Sequence, residues 1–315
     1  GAMAVGESQN IAIGSSALGT MDAGTGGTVS GNIAIGHYAF VGADLNTASN
    51  TISDNIAIGK SALDATGANA QLGTIAIGRD ALGGLTTGAG CIAIGYQALQ
   101  EHTEGSRNMA IGYQAMVNTW DGSADDSRES SDNVAIGYQS MGGAWTDSDA
   151  DNADKSEFNV AIGNYTLSGA MASASYNVAV GHDAGKSITT ASGNIVIGYD
   201  CGDELTTGGD NVLIGYGAGH SLVEGNKNVA VGYLTLDGGD EDSACVAIGY
   251  QALTAANVSD TGSAVESKNT AVGYQSCLAV SSGNFNTALG AGSASSVNTG
   301  AGNTALGYAA LNANT

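Results

Sequence analysis

A nine-residue phrase, Asn108-Met109-Ala110-Ile111-Gly112-Tyr113-Gln114-Ala115-Met116, recurs in altered form from one end of the chain to the other. With its glycine as marker, sixteen copies stand at Gly14, Gly36, Gly59, Gly78, Gly95, Gly112, Gly137, Gly163, Gly181, Gly198, Gly215, Gly232, Gly249, Gly273, Gly290 and Gly307. The spacing runs from 17 to 26 residues, and 17 is both the floor and the commonest value. A short fixed period marks a stacked, quasi-one-dimensional architecture in which no copy buries its apolar face without a neighbour. Seventeen residues is then the structural quantum, and longer intervals are insertions into a connection that tolerates them. These fall near 19–31, 41–54, 117–132, 142–158 and 254–268, inside one continuous repeat domain spanning 3–315. Gly1-Ala2 ahead of Met3 reads as a tag-cleavage remnant, residues 1–2.

Four residues before the glycine stands Asn in thirteen of the sixteen copies, the exceptions being Thr74, Cys91 and Cys245. The next three residues read apolar, small, apolar, as in Val134-Ala135-Ile136, a period of two with β-branched residues that predicts a short strand. The glycine permits a bend or a backbone approach that a Cβ would obstruct. A second short strand, small then large (Ala98-Leu99, Ala115-Met116), is expected to follow before a polar return to the next Asn. The prediction is an all-β β-solenoid of 16 short coils, a rod roughly 75 Å long at about 4.8 Å per rung. Asn108, Asn133, Asn159, Asn177, Asn194, Asn211 and Asn228 should stack, their amides donating one way and accepting the other along the array.

So short a coil is expected to hold only Ala-sized residues inside, leaving a stripe of Ile, Val, Leu or Met with no partner in its own chain. Ile111 and Met116 mark faces of this kind. A column of sixteen would exceed the few hundred Å² of apolar patch that soluble monomers tolerate, so other copies of the chain should cover it, three of them suiting a wedge-shaped coil. The formal charge of −22, from 30 acids against 8 bases, repels phosphate backbones and anionic headgroups and argues against nucleic acid as a partner. With no apolar run of 18 residues, membrane insertion is not expected either. Cys91, Cys201, Cys245 and Cys277 form no CxxC and read as small buried substitutes in the repeat. Unpaired thiols suit folding in a reducing cytoplasm.

The pattern Asn55-Ile56-Ala57-Ile58-Gly59-Lys60-Ser61-Ala62-Leu63 resembles the head repeats of YadA-like trimeric autotransporter adhesins. The variant Gly-Tyr-Gln-Ala-Leu, at Gly95 to Leu99 and Gly249 to Leu253, is similar to repeat arrays in phage tail fibres. The resemblance implies a left-handed parallel β-roll assembled as an elongated homotrimer, and it covers nearly the whole chain. The longer repeat, acidic insertions and cysteines depart from the adhesin pattern, as does the absence of a heptad neck among these 315 residues.

Two features carry candidate chemistry. Tyr96, Tyr113, Tyr138, Tyr199, Tyr216, Tyr233 and Tyr250 all follow the marker glycine, as do Tyr274 and Tyr308, and form either an aromatic track for sugar rings or a ladder that shields the bend. Trp120 and Trp145 each lie eight residues past their glycine in adjacent insertions, and acids follow both, beginning at Asp121 and Asp147. Trp faces with Asp carboxylates would make a lateral receptor platform; alternatively the tryptophans pin their loops to the rod. Asp147, Asp149 and Asp151 alternate as in a calcium loop, yet Asn152 stands where Gly is required and Phe158 where a bidentate Glu is required, so Ca²⁺ is the one cofactor considered and none is expected otherwise. Gly185, Gly202 and Gly219 replace the large residue of three consecutive copies, predicting a local change of girth, and Thr270, Thr287 and Thr304 predict a wetter end.

No acid–base or nucleophile constellation is visible. The expectation is a non-enzymatic homotrimeric fibre segment, a bacteriophage tail fibre or receptor-binding shaft located in the virion and recognising bacterial surface polysaccharide. The alternatives are the head of a trimeric adhesin at the bacterial cell surface and, more remotely, a polysaccharide depolymerase, whose carboxylates would here lie in variable insertions.

Overall fold

A computed structural model describes residues 7–19, 27–42, 50–66, 70–119, 130–145, 155–238, 242–255 and 267–312. Among them are strands, turns and bends, and no helix long and apolar enough to cross a membrane. The chain is an all-β parallel β-solenoid whose contacts divide into two units, Gly1–Asn159 and Val160–Thr315.

Three extended residues precede each marker glycine. In the first unit these strands are Ile11–Ile13, Ile33–Ile35, Ile56–Ile58, Ile75–Ile77, Ile92–Ile94, Met109–Ile111 and Val134–Ile136, hydrogen-bonded in that order. In the second they are Val160–Ile162, Val178–Val180, Ile195–Ile197, Val212–Ile214, Val229–Val231, Val246–Ile248, Thr270–Val272, Thr287–Leu289 and Thr304–Leu306. Pairing is parallel and in register, so that Ala93 lies beside Ala110 and Ala110 beside Ala135. Alternation then decides the faces: the middle residue points inward and is buried, Ala12 of the first strand excepted, while the β-branched residues on either side point outward and stay partly exposed.

The glycine that ends each strand is required by contact as well as conformation. Gly112 has φ 142°, and a Cβ on it would stand 2.3 Å from the carbonyl oxygen of Gly137 in the next rung. That is far inside van der Waals contact, and the φ belongs to a region that is essentially glycine's alone.

After the glycine the expected second strand does not form. Ala98 and Leu99 are both fully buried, which neighbouring residues of a strand cannot be, since they point to opposite faces. Instead Gln97 and Leu99 adopt left-handed backbone (φ 56° and 51°), and two tight turns direct both side chains inward. Gln114 and Met116 repeat this at 54° and 50°. Each left-handed non-glycine residue costs about 1–2 kcal/mol. The rungs offset it with hydrogen bonds: the Gln97 amide donates to the Arg79 carbonyl on one side, and the Leu99 amide to the Ala115 carbonyl on the other, at 2.9 and 3.0 Å. Ladder-forming second strands occur elsewhere, just ahead of the asparagine position, at Glu7–Ser8, Thr28–Ser30, Thr51–Ser53 and, before Thr74, Gln71–Leu72.

This geometry overturns the expectation that the Leu/Met stripe needs another chain. Leu63, Leu82, Leu99, Met116, Met141 and Leu253 are buried in their own coil; of the pair Ile111 and Met116, only Ile111 faces outward. The glycine-for-leucine copies show how tightly this interior is filled. Where Gly202 and Gly219 remove a large side chain, the strand residue that is usually Ala becomes Val196 or Leu213, and Leu213 methyl carbons lie 3.0 and 2.9 Å from where those glycines would carry a Cβ. The volume has moved across the core, and Ile188, Leu205 and Leu222, three residues past the glycines, are buried as well. At the far end, Thr287 and Thr304 are exposed while Thr270 remains partly covered.

The asparagine column forms side-chain ladders in runs, interrupted at Thr74 and Cys91 in the first unit and at Cys245 in the second. Asn211 is typical: its amide donates to Asn194 Oδ1 (3.0 Å) and to the Gly225 carbonyl (2.8 Å). Its Oδ1 accepts from the backbone and side-chain nitrogens of Asn228, at 2.9 and 3.0 Å. Asn32, Asn55, Asn108, Asn133, Asn159, Asn177 and Asn194 are likewise buried, and wherever asparagines occupy successive rungs of a unit the amide of one donates to the Oδ1 of the one before, as Asn55 does to Asn32 and Asn133 to Asn108.

Candidate functional site

Three outward columns run along each unit beside one another: the two β-branched columns of the strand and the residue after the glycine. The last is a stack of tyrosines. Tyr96, Tyr113 and Tyr138 lie 5.1 and 5.3 Å apart between centroids. Tyr199, Tyr216, Tyr233, Tyr250 and Tyr274 continue the pattern in the second unit at 5.1–5.3 Å, with planes within 14° of parallel. Each ring face inside a stack is therefore covered by its neighbour's, and ring edges and phenol groups meet solvent. A sugar ring packs on an aromatic face, and within the stacks those faces are occupied. The adjacent glutamines extend the ladder, with Gln114 donating to Gln97 and Gln139 to Gln114, both at 2.9 Å.

Of the lateral platform, Trp120, Asp121, Asp147, Asp149 and Asp151 lie outside the described residues. Trp145 is described and is turned inward, 5% exposed, its backbone amide donating to the Asn118 carbonyl at 3.0 Å. A buried indole has no face to offer a receptor. All four cysteines are free and buried, and burial pushes the thiols of Cys201 and Cys245 up to about 12, which leaves them protonated and non-nucleophilic near neutrality.

Two arrangements escaped the sequence reading because each joins residues from different turns of the coil. The first repairs a gap in the asparagine ladder. Cys91 stands where an amide oxygen would accept from Asn108, and buried His102 takes over: its Nε2 accepts from Asn108 Nδ2 at 3.1 Å, while Nδ1 faces the Thr119 hydroxyl at 3.0 Å. Because an amide nitrogen only donates, the proton of His102 sits on Nδ1. Burial lowers its pKa from 6.5 to about 4. The unfolded chain thus binds a proton that the folded chain refuses between those values, and stability is lost as pH falls from 6.5 toward 4, by about 2–3 kcal/mol. His102→Gln supplies an acceptor without a titrating ring; urea midpoints at pH 7.5 and 4.5 should drop less in that variant than in the parent. Equal drops would remove His102 as the acid-labile point.

The second joins His182, Asp183 and Asp200. The His182 ring stacks on Tyr199 at 5.4 Å, its Nδ1 lies 3.0 Å from Asp183 Oδ2, and one nitrogen and two carboxylate oxygens come within 4.8 Å of one another. No metal-like spacing exists along the chain for these residues, because Asp200 reaches the others from the next rung. Burial, followed by the charges of Asp203 and Asp183, raises the Asp200 carboxyl. A scan down columns seventeen residues apart, instead of along rows, would have found both arrangements.

Comparison with family models, curated proteins and solved structures returns no match for this chain. What the coordinates define is the class: a parallel β-solenoid repeat protein with a packed apolar interior and polar, aromatic and aliphatic ladders.

Proposed function

We propose that the chain is a segment of a non-enzymatic homotrimeric fibre for surface attachment, a bacteriophage tail fibre or receptor-binding shaft that engages bacterial surface polysaccharide. The observation that carries this reading is the outward strand face. Its two β-branched columns hold no charged residue in any copy, and Ile162, Ile195 and Ile248 are each exposed by more than a third. Nine rungs at about 4.8 Å make the column next to the glycine an apolar strip roughly 40 Å long in the second unit, from Ile162 to Leu306, while the other column turns from Val and Ile to Thr in the last three rungs. A strip of that length is larger than a soluble monomer ordinarily exposes, and another copy of the same face is its natural cover. A charge of −22 keeps the remaining surface soluble and turns the fibre away from anionic polymers.

Light scattering of the purified protein should give three times the 30.9 kDa chain mass. Ile195→Glu with Ile248→Glu, both at exposed positions, should reduce it to one chain while circular dichroism stays β-rich. A monomeric parent protein would defeat the assembly. Retention on immobilised bacterial surface polysaccharide tests the attachment role, and a trimer that binds none of a broad panel would defeat that part.

A further inference from the structure

One turn of the first unit lacks the side chains its neighbours carry. Gly83 and Gly84 sit five and six residues past their marker glycine, where the rung before has Asp64 and the rung after has Gln100 and Glu101. The missing side chains leave a notch of about 440 Å³ between those residues, with Asp80 also on its wall. The backbone here is held: the Gly84 amide donates to the Gln100 carbonyl at 2.8 Å, and Asp80 is paired with Arg79 at 3.1 Å.

We propose that this notch is a saccharide subsite, taking one sugar ring, neutral or amino-substituted, of a surface polymer; this rests on the attachment function proposed above. Its volume lies within the range of small-ligand sites and well above the share of a single water. The carboxylate residues Asp64, Asp80 and Glu101 line it together with Gln100, so it offers acceptors in excess and selects a ligand rich in donors, which sugar hydroxyls and ammonium groups supply. The same carboxylates repel uronic and sialic acids. Burial raises the Asp64 carboxyl, a Ser61 hydrogen bond opposing it and the nearby Asp80 charge adding to it.

The two glycines give a clean test. A Cβ at Gly84 would meet the Gln100 carbonyl oxygen at 2.7 Å, whereas one at Gly83 has no neighbour closer than 3.4 Å. Gly83→Gln therefore fills the notch with the residue the next rung already carries at that register. Saturation-transfer NMR on the full chain, with methyl glycosides of neutral, amino and acidic sugars, should show transfer to the first two classes and not the third. Affinity should fall by about tenfold or more in Gly83→Gln at unchanged melting temperature. If that variant melts early, Asp64→Asn and Glu101→Gln decide by the same loss. Undiminished transfer in the variants, or preference for acidic sugars, overturns the subsite. A chain that still binds bacterial polymer but shows no transfer overturns it while leaving the attachment function intact; binding neither overturns both.

Discussion

Gly198→Ala should be among the most destabilising single substitutions in the chain. A Cβ at this position would lie 2.1 Å from the Gly215 carbonyl oxygen, and φ is 145°, where alanine is strained regardless of space. The contact is with backbone, so no side-chain rotation relieves it, and the rung cannot withdraw without breaking its own ladder: the Gly198 amide donates to the Val180 carbonyl at 2.9 Å, and that of Gly215 to Ile197 at 2.8 Å. Steric and conformational costs together should exceed about 4 kcal/mol, the range reserved for severe core lesions. For a unit of this size that lowers the melting temperature by about 10 °C or more. Gly73→Ala is the control: φ is 63° and nothing lies within 4 Å, so the loss there should be on the order of 1 kcal/mol. Equal effects at the two sites would mean that close backbone approach is not what selects glycine.

Asn211→Ala should be nearly as damaging, though it introduces no clash. It strips acceptors from the Asn228 backbone and side-chain nitrogens and the donor from the Gly225 carbonyl, all in the interior. The Asn228 side-chain nitrogen keeps its bond to the Asp242 carbonyl, but the Asn228 backbone amide and the Gly225 carbonyl each lose their Asn211 partner at about 1–3 kcal/mol, so a loss of at least about 2 kcal/mol is expected in urea unfolding. Asn211→Asp separates geometry from bonding, since its carboxylate keeps the acceptor and discards the donor. A melting temperature unchanged in Asn211→Ala would show that the ladder is ornament.

Both sites were legible in the sequence, because Gly and Asn recur at a fixed distance and each recurrence has a physical reason: close backbone approach for one, amide stacking for the other. The alternation of Val134-Ala135-Ile136 likewise foretold a strand with a buried centre. The direction of Leu99 and Met116 was not legible. It depends on left-handed backbone at non-glycine residues, which local preference argues against and which only rung-to-rung hydrogen bonding sustains. Compensation across the core was hidden for a related reason: Gly202 and Leu213 belong to different rungs, and each looks like an isolated exception when read in order. The same holds for the notch, whose walls come from three successive copies. Rows reveal the scaffold; the departures acquire meaning only in columns.

The shared register of the strand, glycine, asparagine and tyrosine columns has a consequence for how such a molecule can change in length. Removing or adding one residue between successive asparagines inside a minimal coil would displace all four columns at once, whereas removing a whole 17-residue copy, such as one between Asn194 and Asn228, would rejoin every column to an equivalent partner. Length is therefore available in steps of one rung, and the protein behaves as a ruler with fixed graduations: lineages of such chains can differ freely in how many marks they carry, while the spacing between marks stays constant.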